Sequence, residues 1–237
     1  MNATGLRPRR RVRAVRECVE ILAGVAGGQP FDYQGELYQA HQQFFPWARA
    51  PRPQIYVAAN RPQMLRMAGR VADGVMMSDI TVQHMAECLE PLEAGLAVRP
   101  AGLNFRINNF WAWHVKDKLT DAVNEARQEL VWRGVLQRWH IEPFLDPADV
   151  RLVEQNWQAF LRAFVKRTPV IENVPDSVVN ALIDGLTLTG SLDDLEPIID
   201  KIRALEAAGM NEIALRLHGE PARAIETIGS TICPAIR

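Results

Sequence analysis

Two short apolar runs that do not alternate with polar residues constrain the fold most. Residues 55–59 read IYVAA and residues 74–77 read GVMM. Strands of this kind are covered on both faces, which is typical of parallel sheets whose strands are joined by helices. Pro62 indicates a helix between the two runs, because the first helical position needs no backbone N–H. The stretch therefore predicts a strand, a helix and a second, parallel strand.

The turn between the first strand and this helix, Asn60 and Arg61, is predicted to bind an anion. It lies at the carboxyl end of a strand, where the N–H groups of a helix N-terminus and the Arg61 side chain come together. In α/β folds such turns bind phosphate. The alternative is an ordinary strand-to-helix turn, which is the commoner structure, and the residues by themselves leave both interpretations open.

Two further strands are predicted at residues 108–115 (NNFWAWHV) and 212–217 (EIALRL). Segments with helical spacing of apolar residues alternate with the strands, which is typical of a mainly parallel sheet. Four strands are too few to close a barrel, since closure takes about eight. We therefore expect an α/β fold that corresponds to half of a barrel.

The rest of the chain is predicted to be mainly helical. Residues 139–190 contain prolines and helical patches but no strand signal, and they predict a helical insertion. Ser191 and Asp194 have the spacing of a capping box, which predicts that a helix begins there. Near the N-terminus, FDYQGELYQA predicts a hairpin that turns at Gln34-Gly35, after a polar lead-in over residues 1–9.

Composition is typical of a globular protein, with 48% hydrophobic and 23% charged residues. The formal net charge of −1 gives no reason to expect nucleic acid or a membrane as partner. The basic cluster Arg7–Arg16 is interpreted as the solvated face of an amphipathic helix. The three cysteines are widely spaced, which favours a reducing compartment and argues against disulfides and a metal site. With no apolar signal core or membrane span, the sequence predicts a cytoplasmic protein.

Three stretches resemble the luciferase-like monooxygenase superfamily. They are RVRAVRECVEIL with FDYQGELY, PQIYVAANRPQMLRMAGRVADGVMMSD, and GLTLTGSLDDLEPIIDKIRALEAAGMNEIALRL. Within the superfamily, the chain is most similar to the coenzyme F420-dependent oxidoreductases that resemble methylene-tetrahydromethanopterin reductase. The resemblance covers most of the chain apart from the predicted insertion, and AANRP and AGRVADGV are its most specific parts.

The resemblance implies a (β/α)8 barrel of the TIM type that binds FMN or coenzyme F420. It implies one luciferase-like domain over residues 1–237 that holds only the C-terminal half of the barrel, in agreement with the four predicted strands. The cofactor phosphate is placed at the turn formed by Ala58, Ala59, Asn60, Arg61, Pro62 and Gln63. Arg61 replaces a frequent glycine, so it either adds a phosphate contact or obstructs close approach of the backbone.

Four other polar residues are candidates for lining a site, because they lie near the carboxyl ends of strands, where barrel enzymes keep their sites. These residues are Ser78, Asp79, His114 and His218. For each histidine the commoner role is structural, and Asp79 has the alternative role of capping the next helix. The family residues tied to substrate chemistry lie mostly in the other half of the barrel, so no catalytic residue is assigned.

The sequence is compatible with three functions. The first is a flavin- or deazaflavin-dependent oxidoreductase that carries out hydride transfer or monooxygenation of a small organic substrate. The second is a non-catalytic half-barrel that forms a homodimer or binds a partner, because half of a barrel leaves strand edges unpaired. The third is a different phosphate-binding barrel, such as an isomerase or an aldolase.

Overall fold

The computed structural model describes residues 10–236, so the predicted lead-in over residues 1–9 lies outside the described part. The strands are β1 (Phe31–Gln34), β2 (Gln39–Gln43), β3 (Tyr56–Ala58), β4 (Gly74–Ser78), β5 (Arg106–Lys116), β6 (Thr187–Ser191) and β7 (Glu212–Leu217). The first four α-helices are α1 (Arg11–Val25), α2 (Pro62–Val71), α3 (Val82–Leu96) and α4 (Leu119–Glu129). Further helices are α5 (Arg138–Ile141), α6 (Pro147–Gln155), α7 (Trp157–Lys166), α8 (Asp176–Leu186), α9 (Glu196–Ala207), α10 (Pro221–Thr227) and α11 (Cys233–Ala235).

The chain divides into two compact units. The first contains the described residues up to Met76 together with Glu87–Ile107, and the second contains Met77–Ala86 together with the described residues from Asn108 onward. Over residues 10–236, no helix is both long enough and apolar enough to cross a membrane.

In the first unit, β3 and β4 form the parallel pair that the sequence predicts. Val57 lies opposite Val75, and α2 is the helical connection between the two strands. The start of β3 is fixed by Asp73, whose carboxylate accepts hydrogen bonds from the Ile55 N–H at 2.8 Å and from both terminal nitrogens of Arg52 at 2.6 and 3.0 Å. A bidentate arginine contact of this kind is geometrically specific, so the loop before β3 is fixed to the residue before β4.

The predicted hairpin is also present in this unit, as the antiparallel pair β1 and β2. Its turn is longer than predicted, because Gln34 pairs with Gln39 and residues 35–38 form the connection. The reason lies in Glu17 of α1, which is fully buried and accepts N–H hydrogen bonds from Glu36, Leu37 and Tyr38 at 2.9–3.0 Å. These bonds satisfy the turn's backbone donors and replace the tight two-residue turn expected at Gln34-Gly35.

In the second unit, β5 pairs in parallel with both β6 and β7. Strand β6 was not predicted: the helical prediction for residues 139–190 holds through Leu186 but is wrong from Thr187 onward. The described residues thus contain five strands in parallel pairs, against four predicted. The assignment of the helical segment as an insertion stays a prediction.

The helical segment of the second unit has a hydrophobic core of its own, built with α4. Fully buried side chains in this core include Leu130, Ile141, Phe160, Leu182 and Leu186. Burying a side chain of this size stabilises the folded chain by about 1.5–3 kcal/mol. The segment is therefore an integral part of the second unit.

The helix after β6 begins later than the capping-box spacing predicts. α9 starts at Glu196, with Pro197 in its first turn, so the prediction that Ser191 caps it is wrong. The Ser191 hydroxyl instead accepts the N–H of Asp193 at 3.2 Å and donates to the Asp117 carbonyl at 3.0 Å. Ser191 therefore fixes the turn at the end of β6.

A close helix contact in the first unit yields a stability prediction. A Cβ on Gly69 of α2 would lie 2.5 Å from the Leu92 carbonyl oxygen of α3, where backbone atoms cannot move aside cheaply. We expect Gly69→Ala to lower the free energy of unfolding by about 1–3 kcal/mol, although alanine by itself favours a helix. Urea denaturation measures the effect. Gly229→Ala is the control, since a Cβ there has no neighbour within 4 Å, and equal stability of the two variants would contradict the prediction.

Candidate functional site

The predicted phosphate turn forms in the first unit, between β3 and α2. Arg61 is the N-cap residue, with φ −120° and ψ 148°, and its carbonyl accepts the N–H groups of Met64 and Leu65. Pro62 occupies the start of the helix, and α2 has no acidic residue in its first turn. The Ala59 N–H donates to the Met76 carbonyl at 3.1 Å, so this donor is used in strand pairing. The positive end of α2 and the Arg61 guanidinium therefore lie at this turn, and binding of an anion there stays a prediction.

Two cavities of the first unit adjoin this turn. One, of about 460 Å3, is apolar and lies against α1 and β3, and Ala58 and Met64 line it. The other, of about 900 Å3, is the arginine cavity, and Arg61, Gln63 and Met64 line it. Its remaining lining residues are Arg10, Arg11, Val12, Arg13, Arg16, Arg66, Met67 and Arg70. The turn thus lies beside both an apolar space and a cationic one.

The other predicted lining residues belong to the second unit. The Ser78 hydroxyl donates to the Asp79 carboxylate at 2.9 Å, and Asp79 also accepts the Gly134 N–H at 2.8 Å and Arg133 Nη1 at 3.1 Å. Asp79 and Arg133 are each 2% exposed. Burial raises the pKa of Asp79 above its ordinary value, although Arg133 and the Gly134 N–H act in the opposite direction. Asp79 therefore forms a buried ion pair with Arg133, and its carboxylate also accepts hydrogen bonds from Ser78 and Gly134.

His114 and His218 are brought together by the pairing of β5 with β7. Their rings stack with centroids 4.6 Å apart and planes inclined by 24°. His114 is fully buried, and its Nδ1 lies 2.9 Å from a Glu125 carboxylate oxygen of α4. Burial lowers the pKa of His114, while the hydrogen bond to Glu125 acts in the opposite direction. The pKa of His218 is lowered to about 4, first by burial and then by the neighbouring His114 and Arg216.

Both carboxylates beside the histidines are held by cations. Burial acts to raise the pKa of Glu125, but hydrogen bonds from His114 and Lys116 outweigh it, so the pKa lies below its ordinary value. Glu129 is 4% exposed and accepts a hydrogen bond from Arg167 at 2.8 Å. The Nε2 atoms of His114 and His218 are buried, and no hydrogen-bond partner for them occurs among the described residues.

Sequence reasoning missed three members of this buried cluster: Glu125, Glu129 and Arg133. They are spaced four residues apart along α4 and the turn that follows it, and such a charged stripe normally indicates a solvated helix face. The signal that could have identified them is the fully buried apolar set Ala122, Ala126 and Leu130, which runs beside them along α4 and into the turn that follows it. The charged stripe borders this buried face, which is why it reaches the histidines.

A small cavity of about 260 Å3 lies at the carboxyl ends of the second unit's strands. Lys116 at the end of β5, Leu192 after β6 and His218 after β7 line it. His218 is the predicted site residue that reaches this cavity. Among residues 10–236, no group of three or more histidine, cysteine or carboxylate side chains is arranged to hold a metal ion.

Comparison with known proteins identifies the family. The sequence model of the luciferase-like monooxygenase family matches residues 1–212. A 5,10-methylenetetrahydromethanopterin reductase of Archaeoglobus fulgidus is 25% identical over 235 residues, which cover 95% of this chain and 67% of that protein.

Two solved structures share the fold. The coenzyme F420-dependent tetrahydromethanopterin reductase of Methanopyrus kandleri matches 95% of this chain with a TM-score of 0.72 at 19% identity. The oxygenating constituent of 3,6-diketocamphane monooxygenase from Pseudomonas putida, solved with FMN, matches 94% with a TM-score of 0.52 at 19% identity. This chain spans 64% and 63% of their lengths. The expected α/β fold, equivalent to part of a TIM barrel, is confirmed. The chain belongs to the luciferase-like monooxygenase family.

Proposed function

We propose that this chain carries the phosphate-binding part of an FMN- or F420-dependent oxidoreductase that acts on a small organic substrate by hydride transfer or monooxygenation. Family membership supports the oxidoreductase class. The similarity to the reductases favours F420, and the similarity to the monooxygenase solved with FMN supports FMN as the alternative cofactor. FMN or F420, when bound, supplies the redox chemistry, because no described side chain can accept a hydride.

One observation carries the proposal: the turn at residues 58–63 lies between an apolar cavity and the arginine cavity. Either cofactor combines a flat, largely apolar ring with a phosphate-bearing chain. The Arg61 guanidinium matches phosphate, to which it can donate two parallel hydrogen bonds. The apolar lining at Ala58 and Met64 suits a ring. The residues of this chain thus fit both chemical halves of the cofactor.

We expect Arg61→Ala to weaken binding of the cofactor by about 10- to 100-fold, the value of one lost charge-assisted hydrogen bond. The purified chain is titrated with FMN and with F420 while their fluorescence is followed. Saturable binding of either FMN or F420 would identify that compound as the cofactor. Arg151→Ala is the matched control, because it removes one exposed arginine from α6.

Two results would contradict the proposal. One is the absence of binding of either cofactor to a chain that circular dichroism shows to be folded. The other is equal affinity of Arg61→Ala and the unaltered chain, since the phosphate would then lie elsewhere.

A second candidate function is a half-barrel that acts through self-association. It is favoured by β3, whose only pairing found within the first unit's described residues is with β4, so that one edge is available to a second strand. Sedimentation of the chain without cofactor tests it: a dimer that binds neither FMN nor F420 supports this function.

The location proposed with this function is cytoplasmic. It rests on the three cysteines, which are free thiols in the structure. Free thiols are typical of reducing compartments. The substrate is a small molecule under this proposal, and nucleic acid is not part of it.

A further inference from the structure

The cavity at the carboxyl ends of β5 and β7, here called the strand-end cavity, is lined by two residues with unpaired buried nitrogens. Trp113 and His218 both line this space of about 260 Å3 in the second unit. The Trp113 Nε1 and His218 Nε2 atoms are buried, and neither has a hydrogen-bond partner among residues 10–236. Trp113 is only 2% exposed. Buried polar groups are almost always paired in folded proteins, so a molecule in the cavity is expected to supply the partners.

The two nitrogens differ in what they ask of a partner. The indole N–H of Trp113 can only donate. The pKa of His218 is lowered to about 4, first by burial, so its ring is uncharged at neutral pH and has one donor and one acceptor nitrogen. His218 Nδ1 lies 4.0 Å from a Glu129 carboxylate oxygen, which favours the proton on Nδ1 and leaves Nε2 as the acceptor. The strand-end cavity therefore offers one buried donor and one buried acceptor.

The charges around the strand-end cavity favour an uncharged ligand. Its charged lining residues are two cations and three carboxylates: Lys116, Arg223, Asp117, Asp121 and Glu220. Both cations are already paired, Arg223 with Asp117 at 2.7 Å and Lys116 with Glu125 at 2.9 Å. An anion would therefore be repelled by the surplus of carboxylates. An ammonium group is also unsuited, because it has no acceptor for the Trp113 N–H.

We propose that the strand-end cavity binds a small uncharged molecule that carries a carbonyl oxygen beside an N–H or O–H group, as amides and hydroxy-carbonyl compounds do. The carbonyl oxygen accepts the Trp113 N–H, and the ligand's own N–H or O–H donates to His218 Nε2. Val115, Leu192 and Ala224 supply apolar lining for the rest of the ligand. The volume lies below the roughly 300–1,000 Å3 of sites for drug-sized ligands, so the ligand is smaller than these.

Trp111 provides an internal reference for this site. Its Nε1 is likewise buried without a partner in the described part of the chain, and it lines a separate cavity of about 290 Å3. That cavity is not lined by a histidine, and its charged residues Lys201 and Asp184 pair with each other at 2.6 Å. It thus offers a donor without a neutral acceptor, and we expect it to bind the same ligand more weakly.

The test uses three probes of nearly the same shape: propionamide, butanone and propionate. The full chain, labelled for nitrogen NMR, is titrated with each probe while the indole N–H resonances are followed, and Trp113→Phe and Trp111→Phe identify the two signals. We expect propionamide to shift the Trp113 resonance saturably. It is expected to bind at least about tenfold more tightly than butanone, which lacks the N–H donor, because one hydrogen bond has about this value. Propionate is expected to bind at least about tenfold more weakly as well, because it is negatively charged.

His218→Phe is expected to abolish the preference for the amide, so that propionamide binds no more tightly than butanone. The matched control is His41→Phe, whose histidine is 90% exposed on the hairpin of the first unit. This control is expected to change the affinity for propionamide by less than about twofold. Circular dichroism verifies folding of both variants, and the comparison of the three probes on the unaltered chain does not depend on either of them.

Four results would overturn the inference. They are a Trp113 resonance that propionamide does not move, a Trp111 resonance that moves equally at the same concentrations, equal affinities for the three probes, and a preference for the amide that His218→Phe retains. The inference does not rest on the proposed function. If propionamide binds to a chain that takes up neither FMN nor F420, the strand-end site stands alone, whereas cofactor binding without a response to propionamide removes only this inference.

Discussion

Replacing Arg133 by methionine is expected to lower the free energy of unfolding by about 3–5 kcal/mol. Arg133 and Asp79 are each 2% exposed, and their side chains lie 3.1 Å apart. Burial raises the pKa of Asp79 and lowers that of Arg133, while the attraction between the two groups acts in the opposite direction on each pKa. Methionine fills similar space but leaves the Asp79 carboxylate buried without its cation. Urea denaturation at neutral pH measures the loss.

A double-mutant cycle separates loss of the ion pair from loss of packing. Adding Asp79→Asn to Arg133→Met removes the uncompensated charge, and the asparagine oxygen can still accept the Gly134 N–H, which lies 2.8 Å from the carboxylate. Asparagine also tolerates the left-handed backbone of this position, where φ is 55°. We expect the double variant to recover most of the lost stability. Losses that simply add would contradict the ion-pair explanation.

The pH dependence of the Arg133→Met deficit provides an independent check. Without Arg133, the folded-state pKa of Asp79 rises further above its unfolded value. A carboxyl group whose pKa is raised in the folded state does not lower the free energy of unfolding while it is protonated in both states. It lowers that free energy progressively as pH rises from its unfolded pKa towards its folded pKa. The deficit relative to the unaltered chain is therefore expected to be smaller at pH 5 than at pH 8. A deficit that does not change with pH would indicate that packing alone is responsible.

The parts of the fold that the sequence predicts best are those in which local and global signals agree. The run at residues 55–59, Pro62 and the run at residues 74–77 all indicate strand, helix and parallel strand, and the structure has this order. Strand β6 was missed because α8 ends at Leu186 and the strand begins at Thr187, with no intervening turn residue to mark the change. Proline and glycine are the signals that such a boundary normally carries.

The candidate site was predictable only in part, because sequence patterns describe local segments and do not give the contacts between segments that are distant in the chain. The turn around Arg61 is local, and it was predicted from its residues. Arg61 becomes part of a cationic cavity only because α2 packs beside α1, whose arginine spacing on its own predicts a solvated helix face. Glu125 and Glu129 have the same spacing as an exposed charged stripe, and only the placement of His114 and His218 makes them a buried cluster.

That buried cluster is expected to make the chain less stable as pH falls from about 6.5 to about 4. The pKa of His218 is lowered to about 4 by burial first and then by His114 and Arg216, and burial lowers the pKa of His114 as well. In this pH range the unfolded chain binds protons that the folded chain does not. For a histidine with a lowered folded pKa, stability is therefore complete above pH 6.5 and declines below it, by up to about 1.4 kcal/mol per pH unit.

Replacing His218 by phenylalanine isolates its contribution. Phenylalanine can maintain the ring stacking on His114, and little hydrogen bonding is lost, since His218 Nδ1 lies 4.0 Å from Glu129. The charged groups around the pair, Glu125, Glu129, Lys116, Arg133 and Arg216, remain in place. Unfolding free energies measured between pH 4 and pH 8 are expected to show a shallower decline for His218→Phe, by about 3 kcal/mol over the whole range.

The matched control is His41→Phe, which removes a histidine whose side chain is 90% exposed on the hairpin. It is expected to keep the steep decline of the unaltered chain. If His218→Phe showed the same slope as His41→Phe, the acid sensitivity would not come from the stacked pair. If only His218→Phe flattens the curve, the acid sensitivity comes from the stacked pair, whose rings are neutral in the folded chain and lie beside Glu125 and Glu129. Protonating one ring would place a positive charge against the other ring and against Arg216, and this destabilises the folded chain as pH falls.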